Sequence, residues 1–527
     1  MNLTKSAGVI GAATMTSRVL GLVRDQVMAF FFGAGDQMDA YNVAFRLPNL
    51  VRDLFAEGAM SAAFVPTFTR ALATNDRQTA WRLGSLVVNV LVLATGAVVV
   101  VGMVFAGSIV TAFAGSYARV PGKLELTVSL ARVMFPFLTM VAVAAVLMGM
   151  LNSLHRFFVP ALSPAAFNVG SILCTVGLLP VMPMLGLPAI MAPAIGVLVG
   201  GLGQVVVQWP ALRREGYRYQ PALDFSDDGL RQILVLMGPG VAGLAAVQVN
   251  ILVTTFLAAH EGTGAVSWLS YGFRTMYMPI GLFGVSIATA ALPTLSRHAA
   301  RRDQPEMQRT ISHGLRLMLM LNVPATVGLV VLSDAIIGLI FEHGRFTASD
   351  TAATAAALAC YAPGLIGYSV VKIAAPSFYA QRDSRTPVLV SVLTVAVNLA
   401  LSLTLVRVMG FKGLALSTAL AALFNAGVLL WILRGRLGGL DGRRIAISLG
   451  KIAVASVLMG LAAWAADASF VGHWPSRAPA VMGVRVGLAM IAALVVLDLA
   501  GRALRLEEAA EIRLAIARQL RPLARRG

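Results

Sequence analysis

Apolar residues gather into long runs bounded by charge or by glycine and proline. About fourteen such runs are legible, near 7–32, 38–65, 83–114, 125–151, 159–181, 190–212, 232–259, 267–293, 315–341, 350–379, 387–407, 412–433, 445–466 and 480–501. At about 1.5 Å per residue, runs of this length cross a hydrocarbon core of roughly 30 Å as helices. None shows the alternation of polar and apolar positions, over roughly ten residues, that marks a strand of a membrane β-barrel. Inside a bilayer a helix satisfies its own backbone polar groups, so the prediction is an all-α polytopic membrane protein with about 14 transmembrane helices. The first run holds Arg18 and Arg24 and no small-residue cleavage site, and so reads as a retained helix and not a signal peptide.

Composition sharpens this. Of 527 residues 58% are hydrophobic and only 13% charged, with a mean hydropathy of +0.79. Soluble domains carry about 25% charged residues, which excludes a water-soluble globule. The net charge of +18 resembles a nucleic-acid binder, but its distribution follows the loops. Alternate loops counted from the N-terminus hold about 26 Lys and Arg, against about six in the opposite set (Arg119, Lys123, Arg345, Arg407, Lys412 and Arg477). Basic short loops stay in the cytoplasm, so both termini are expected inside, with an even number of crossings. Topology accounts for the charge without a nucleic-acid partner. Cys174 and Cys360 lie in apolar runs, which excludes a disulfide framework, and the six histidines share no ligand spacing. No metal and no cofactor is expected.

The chain repeats itself. Pro66 and Pro293, Pro136 and Pro363, and Pro160 and Pro387 are each 227 residues apart, and Val65-Pro66-Thr67-Phe68-Thr69-Arg70 matches Leu292-Pro293-Thr294-Leu295-Ser296-Arg297. One position out of that register, Phe45-Arg46 answers Phe273-Arg274. The offset spans six runs, an even number, which predicts two six-helix lobes related as a parallel repeat. The expected organisation is an N-lobe over 1–231, a C-lobe over 232–440, two extra helices over 441–501, and a cytoplasmic amphipathic tail over 502–527. In the tail, acids come early and arginines late, as the helix dipole favours, which suits a helix on the inner membrane surface.

Charge inside the runs carries the functional reading. An arginine at mid-bilayer costs about 2.5–3.5 kcal/mol on insertion scales, yet Arg18 and Arg24 sit deep in the first run. In the second, Asp39, Asn42, Arg46, Asn49, Asp53 and Glu57 are spaced 3, 4, 3, 4 and 4, the period of one helix face. That stripe is about 27 Å long and is expected to line water or a polar ligand. Arg18 with Asp25 and Arg46 with Asp53 stand two turns apart and read equally well as structural ion pairs. Arg18, Arg24, Arg52 and Arg274 exceed the nearby acids, which implies a cationic cavity and an anionic substrate; guanidinium favours phosphate or diphosphate. Pro48, Gly238-Pro239-Gly240 and Pro279 are expected to interrupt the helices bearing these charges.

Ser17-Arg18-Val19-Leu20-Gly21 with Arg24-Asp25, Phe32-Gly33-Ala34-Gly35, Asp39-Ala40, Leu47-Pro48-Asn49-Leu50 and Phe55-Ala56-Glu57-Gly58-Ala59 resemble the MurJ (MviN) lipid II flippases of the multidrug/oligosaccharidyl-lipid/polysaccharide exporter superfamily. Phe341-Glu342-His343-Gly344-Arg345-Phe346-Thr347, and Tyr379-Ala380-Gln381-Arg382-Asp383 with Thr386-Pro387, look like later signatures of that family. The resemblance implies movement of undecaprenyl-diphosphate-linked disaccharide-pentapeptide from inner to outer leaflet for peptidoglycan synthesis. It places the family's cavity arginines on Arg18, Arg24, Arg52 and Arg274, its acidic partners on Asp25 and Asp39, and a lipid-tail groove on the last two runs. Membrane lipids and cell-wall synthesis proteins are the other partners it implies.

Two positions depart from the pattern. Tyr277 stands where some members carry an acid, and the seventh run offers only Gln248 and Asn250 where some members bind sodium through an acid. Sodium coupling is therefore doubtful, and the membrane potential is the alternative driving force, at about 2.3 kcal/mol per charge per 100 mV. The rival readings are an exporter of another anionic polyprenyl-linked glycan or of a drug, and an enzyme acting on lipid diphosphates. Drug exporters that handle cations call for an acidic cavity, and no HExxH, aspartate-rich or P-loop motif supports catalysis.

Overall fold

A computed structural model describes residues 3–53, 60–74, 76–280, 303–474 and 476–524, together with 295, 297, 298 and 301. Among the described residues all regular structure is helical. Each of the predicted apolar runs falls mainly on helix where it is described, several with a break of one or two residues. Nine of these helices are long and apolar enough to cross a membrane, or ten if one bent pair counts as a single span. The chain divides into two compact units, residues 1–267 with 343–346 and residues 268–342 with 347–527.

The first unit opens with α1 (Leu3–Phe32), α2 (Asp36–Arg52), α3 (Met60–Thr74) and α4 (Arg77–Val104). It continues with α5 (Ala106–Ala114), α6 (Lys123–Met134), α7 (Phe137–Ser153), α8 (Phe158–Leu178), the short α9 (Val181–Met184), α10 (Met191–Arg214) and α11 (Asp228–Ala259). Helix α8 packs along α1 and α10. Small residues permit the α8–α10 approach: a Cβ on Gly200 would lie 2.6 Å from the Phe167 carbonyl oxygen. In lipid, where apolar side chains gain little by leaving the solvent, such close backbone packing is the main adhesive. The core between α3, α4 and the segment after α10 is aromatic, with Phe64, Phe68, Trp81 and Tyr217 in successive ring contact at 5.1, 5.8 and 5.4 Å.

The second unit takes in α12 (Ala265–Pro279) from Trp268 onward, then α13 (Gln304–Val331), α14 (Ser333–Phe341), α15 (Ala348–Tyr361), α16 (Gly364–Ala380), α17 (Arg385–Met409) and α18 (Phe411–Leu437). The hairpin α19 (Gly442–His473) and α20 (Pro479–Ala503) packs on α13 and α14, and α21 (Glu507–Ala524) ends the described chain. Many outward side chains of α17, α19 and α20 are apolar and exposed, among them Leu389, Val408, Val457, Leu461, Ile491 and Leu494. They are the surface that lipid, and not water, would wet.

The repeat reaches the helix boundaries. Helix α4 and helix α13 begin and end 227 residues apart, as do α5 and α14, and α7 and α16. Asp76 accepts the Thr79 amide and Asp303 the Glu306 amide, so both long helices start from the same cap. Pro136 and Pro363 mark equivalent interruptions, the second bending α15 against α16 by 41°. Pro293, the partner of Pro66, lies outside the described residues. Gly238-Pro239-Gly240 does not interrupt its helix as expected: α11 is continuous from Asp228 to Ala259, because a helix has i→i+4 bonds on both sides to carry it past one missing donor. Pro48 likewise remains inside α2.

Candidate functional site

The polar stretch of α1 is positioned by α8. The Asn168 side-chain amide donates to the Ser17 carbonyl at 3.0 Å, and the Phe167 ring lies 5.6 Å from the Arg24 guanidinium. Arg24 Nε and Nη2 both donate to Asp25 Oδ1, at 3.3 and 3.0 Å. Asp25 thus takes its immediate neighbour, where the sequence spacing paired it with Arg18. Arg18 is exposed and has no acidic partner among the described residues.

The same device recurs at the end of α2. Arg52 Nε and Nη2 donate to Asp53 Oδ1 at 3.0 and 2.7 Å, again an adjacent pair in place of the Arg46–Asp53 pair that the spacing suggested. Asp53 Oδ2 also accepts from Gln248 Nε2 of α11 at 3.3 Å. Helix α2 closes on a wider, π-type turn at Asp53, and α12 does so 227 residues later at Ile280; such turns re-aim the side chains they carry. Arg46 is half-buried, and the Asn49 side-chain oxygen is buried with no hydrogen-bond partner among the described residues. Glu57, with the Phe55–Ala59 motif, lies outside the described residues.

The upper part of the α2 stripe does not line water. Asp39 is fully buried (0% exposed) and accepts from Lys123 Nζ at 3.1 Å, the Gly264 amide at 2.7 Å and the Ser267 amide and hydroxyl at 3.0 and 2.7 Å. Asn42 donates to the same Ser267 hydroxyl. Four donors satisfy the carboxylate without solvent, as a buried charge requires. Lys123 also reaches Asp36 Oδ1 at 2.7 Å and lies 4.1 Å from the Tyr117 ring centre. Asp36 is partly desolvated, yet its carboxyl is held below its ordinary value because Lys123 and Thr263 donate to it. The sequence reading placed Lys123 among ordinary loop charges; nothing in its neighbours distinguishes a buried lysine from an exposed one.

In the second unit Arg274 is half-buried on α12. Phe273 meets Tyr277, Tyr361 and Tyr368 at 5.7, 5.4 and 6.3 Å. Tyr277 therefore belongs to an aromatic cluster, where a carboxylate would lose hydration. The α19–α20 hairpin is fastened by Arg485 and Asp467, whose second contact is 2.8 Å. Among the described residues no group of His, Cys, Asp and Glu is placed to hold a metal ion, and Cys174 and Cys360 are free thiols.

Duplicated helix bundles with lipid-facing apolar surfaces and charge held inside the spans define a polytopic membrane transporter scaffold. A multidrug MATE transporter of the MOP superfamily in an inward-facing conformation has this fold, with a TM-score of 0.69 at 14% identity over 83% of this chain and 99% of that one. A solved "Lipid II flippase MurJ, inward closed conformation" superposes with a TM-score of 0.77 at 25% identity, covering 94% of this chain and 99% of that one. The family model described as "Lipid II flippase MurJ" matches residues 28–479. The "Probable lipid II flippase MurJ" of Vibrio cholerae serotype O1 is 35% identical over 436 residues, 81% of this chain and 82% of its own. The "Lipid II flippase MurJ" of Burkholderia cenocepacia is 33% identical over 440 residues, 83% of this chain and 84% of its own. The chain belongs to the MurJ lipid II flippase family, a family of transporters and not of enzymes.

Proposed function

We propose that this protein moves lipid II, the undecaprenyl-diphosphate-linked peptidoglycan precursor, from the inner to the outer leaflet of the bacterial cytoplasmic membrane by alternating access. Arg18, Arg24, Arg52 and Arg274 receive the diphosphate, with Asp25, Asp39, Arg46, Asn49, Asp53 and Glu57 as the surrounding polar and ion-pairing groups. The observation that carries this reading is the geometry of Arg24. Its neighbour Asp25 occupies the Nε–Nη2 edge and holds the half-buried guanidinium in place, while the Nη1 edge carries no bond among the described residues. Such a guanidinium is anchored without being neutralised on its open side, and planar bidentate donation is what phosphate oxygens accept best. The α19–α20 hairpin, with its exposed Val457, Leu461, Leu488 and Ile491, is proposed to carry the polyprenyl chain. Both termini are assigned to the cytoplasm from the loop charges.

The driving force is proposed to be the membrane potential or an ion gradient other than sodium. Gln248 donates to Asp53, so the seventh predicted span presents an amide at this point and no carboxylate of its own. The test is depletion of the protein in its own bacterium with labelling of outer-leaflet lipid II. Wild type is expected to restore exposure, and Arg24→Ala and Arg274→Ala to fail while reaching the membrane at normal levels. Unchanged exposure on depletion would assign the protein to another anionic lipid-linked cargo.

A further inference from the structure

Arg132 lies inside the fourth apolar run, 125–151, and so in neither set of basic loops. The span that carries it, Lys123–Ser153, has 31 residues, about 46 Å of helix against a hydrocarbon core of roughly 30 Å. Arg132 follows Lys123 by nine residues, which sets its Cα about 5 Å inside the hydrocarbon when the span is centred on it. Its side chain is exposed, and so are Val100, Val101, Val104 and Phe105 of the neighbouring α4 and its end. A surface of that kind meets lipid. Gly102 fixes the approach of the two helices, since a Cβ there would lie 2.5 Å from the Phe135 ring. Across this contact Arg132 Nε donates to the Met103 carbonyl at 3.3 Å, beside the break between α4 and α5. Its terminal amino groups carry no bond among the described residues, and no acid there pairs with it, Glu125 on the same helix included.

The repeat supplies a comparison. At the second break, between α13 and α14, the Val330 carbonyl stands 227 residues on from that of Met103 and accepts the Ser333 hydroxyl at 3.1 Å. The residue equivalent to Ser333 is Ala106, and the one equivalent to Arg132 is Ala359. A hydroxyl is therefore enough to satisfy the carbonyl at such a break, and the second unit brings no charge to it. In the first unit a guanidinium does the same work through Nε and carries a full charge into the span, where an uncompensated charge is costly. The long side chain can lift that charge toward the headgroups, and its two free amino groups suit the oxygens of a phosphate.

We propose that Arg132 binds the phosphate of an anionic phospholipid in the leaflet at this end of the span, the outer one on the loop-charge reading, and seats that lipid's chains along the exposed face of α4. The test uses the full chain with p-benzoylphenylalanine in place of Val104, which is 65% exposed, in nanodiscs of phosphatidylcholine with a minor share of phosphatidylglycerol. Illumination joins the probe to the lipid lying against it, and mass spectrometry of the adducts gives the share that is phosphatidylglycerol. That share is expected to exceed the bulk share about fivefold. The same probe in place of Val330 should return the bulk share. Arg132→Lys keeps the charge and should keep most of the enrichment. Arg132→Gln keeps a nitrogen at the position of Nε, and with it the bond to Met103, but loses the charge and should return the bulk share. Bulk composition at Val104 in the native chain overturns the proposal. Enrichment that survives Arg132→Gln overturns it too, and leaves Arg132 as a cap for the Met103 carbonyl.

Discussion

The buried charges of this protein are organised by contacts that helical spacing does not encode. Asp39 and Lys123 are 84 residues apart in the chain, with side chains 0% and 2% exposed. Removing one partner of such a pair strands the other, at about 3–5 kcal/mol. Lys123→Met is therefore expected to lower the thermal unfolding midpoint in detergent markedly, and Asp39→Asn together with Lys123→Met to recover most of the loss; additive losses would show that the two are not coupled. Gly344 is constrained in another way. Its φ is +62°, and a Cβ there would stand 2.3 Å from the Phe30 carbonyl oxygen, beside the Arg345 amide that donates to that same oxygen. Gly344→Ala should cost about 1–3 kcal/mol in backbone strain alone, visible as a lower unfolding midpoint than that of Gly107→Ala, a helical glycine outside the left-handed region whose Cβ meets nothing within 4 Å. Sequence spacing paired Asp25 with Arg18 and Asp53 with Arg46, whereas the structure pairs them with Arg24 and Arg52. Periodicity counts Cα positions, and a guanidinium on four flexible bonds can fold back onto the residue beside it.

At the level of helices the duplication is closer than the text of the sequence suggests. Ser85 and Ser312, and Asn89 and Arg316, are equivalent positions of α4 and α13. Asn89 binds the carbonyls of Gln220 and Ala222, while Arg316 binds Glu507 and Glu508. The same face is thus covered by a connecting segment in one unit and by the C-terminal helix in the other. Asp303→Ala should cost about 1 kcal/mol through the lost cap, read as faster amide exchange in the first turn of α13. Asp383 accepts from the Thr386 hydroxyl and amide and pairs with Arg436 at 2.6 Å, which holds its carboxyl at about 2 against an ordinary 3.8. A lowered value means that this stabilisation is complete above the ordinary carboxylate range and is lost as pH falls from near 3.8 through about 2. Asp383→Asn should flatten the acid limb of the stability profile in that window. The interruptions at Phe105 and Leu332 were not legible, since Val104-Phe105-Ala106 and Val331-Leu332-Ser333 contain no glycine or proline. The Gly-Pro-Gly of α11, which looked like a break, is helical.

For the molecule as a whole, the predictions concern transport. On the proposed assignment of the substrate's charge to the arginines, and with no acid on the seventh predicted span, outward exposure of lipid II should fall when the membrane potential is collapsed at constant sodium. It should be unchanged when sodium is replaced at constant potential. The reverse result would assign the coupling to sodium and call for an acid elsewhere in the chain. Hydrophobic runs, loop charge and the 227-residue repeat determined from sequence alone that this is a duplicated bundle of membrane-spanning helices, because a bilayer imposes its thickness and its polarity on every crossing segment regardless of the neighbours. The placement of charge was decided by tertiary structure. Asp39 became a sealed packing contact, Arg24 an anchored and open donor, and the C-terminal acids internal counter-ions. A buried charge takes its partner from whichever helix is packed against it, and that proximity is not written in either helix.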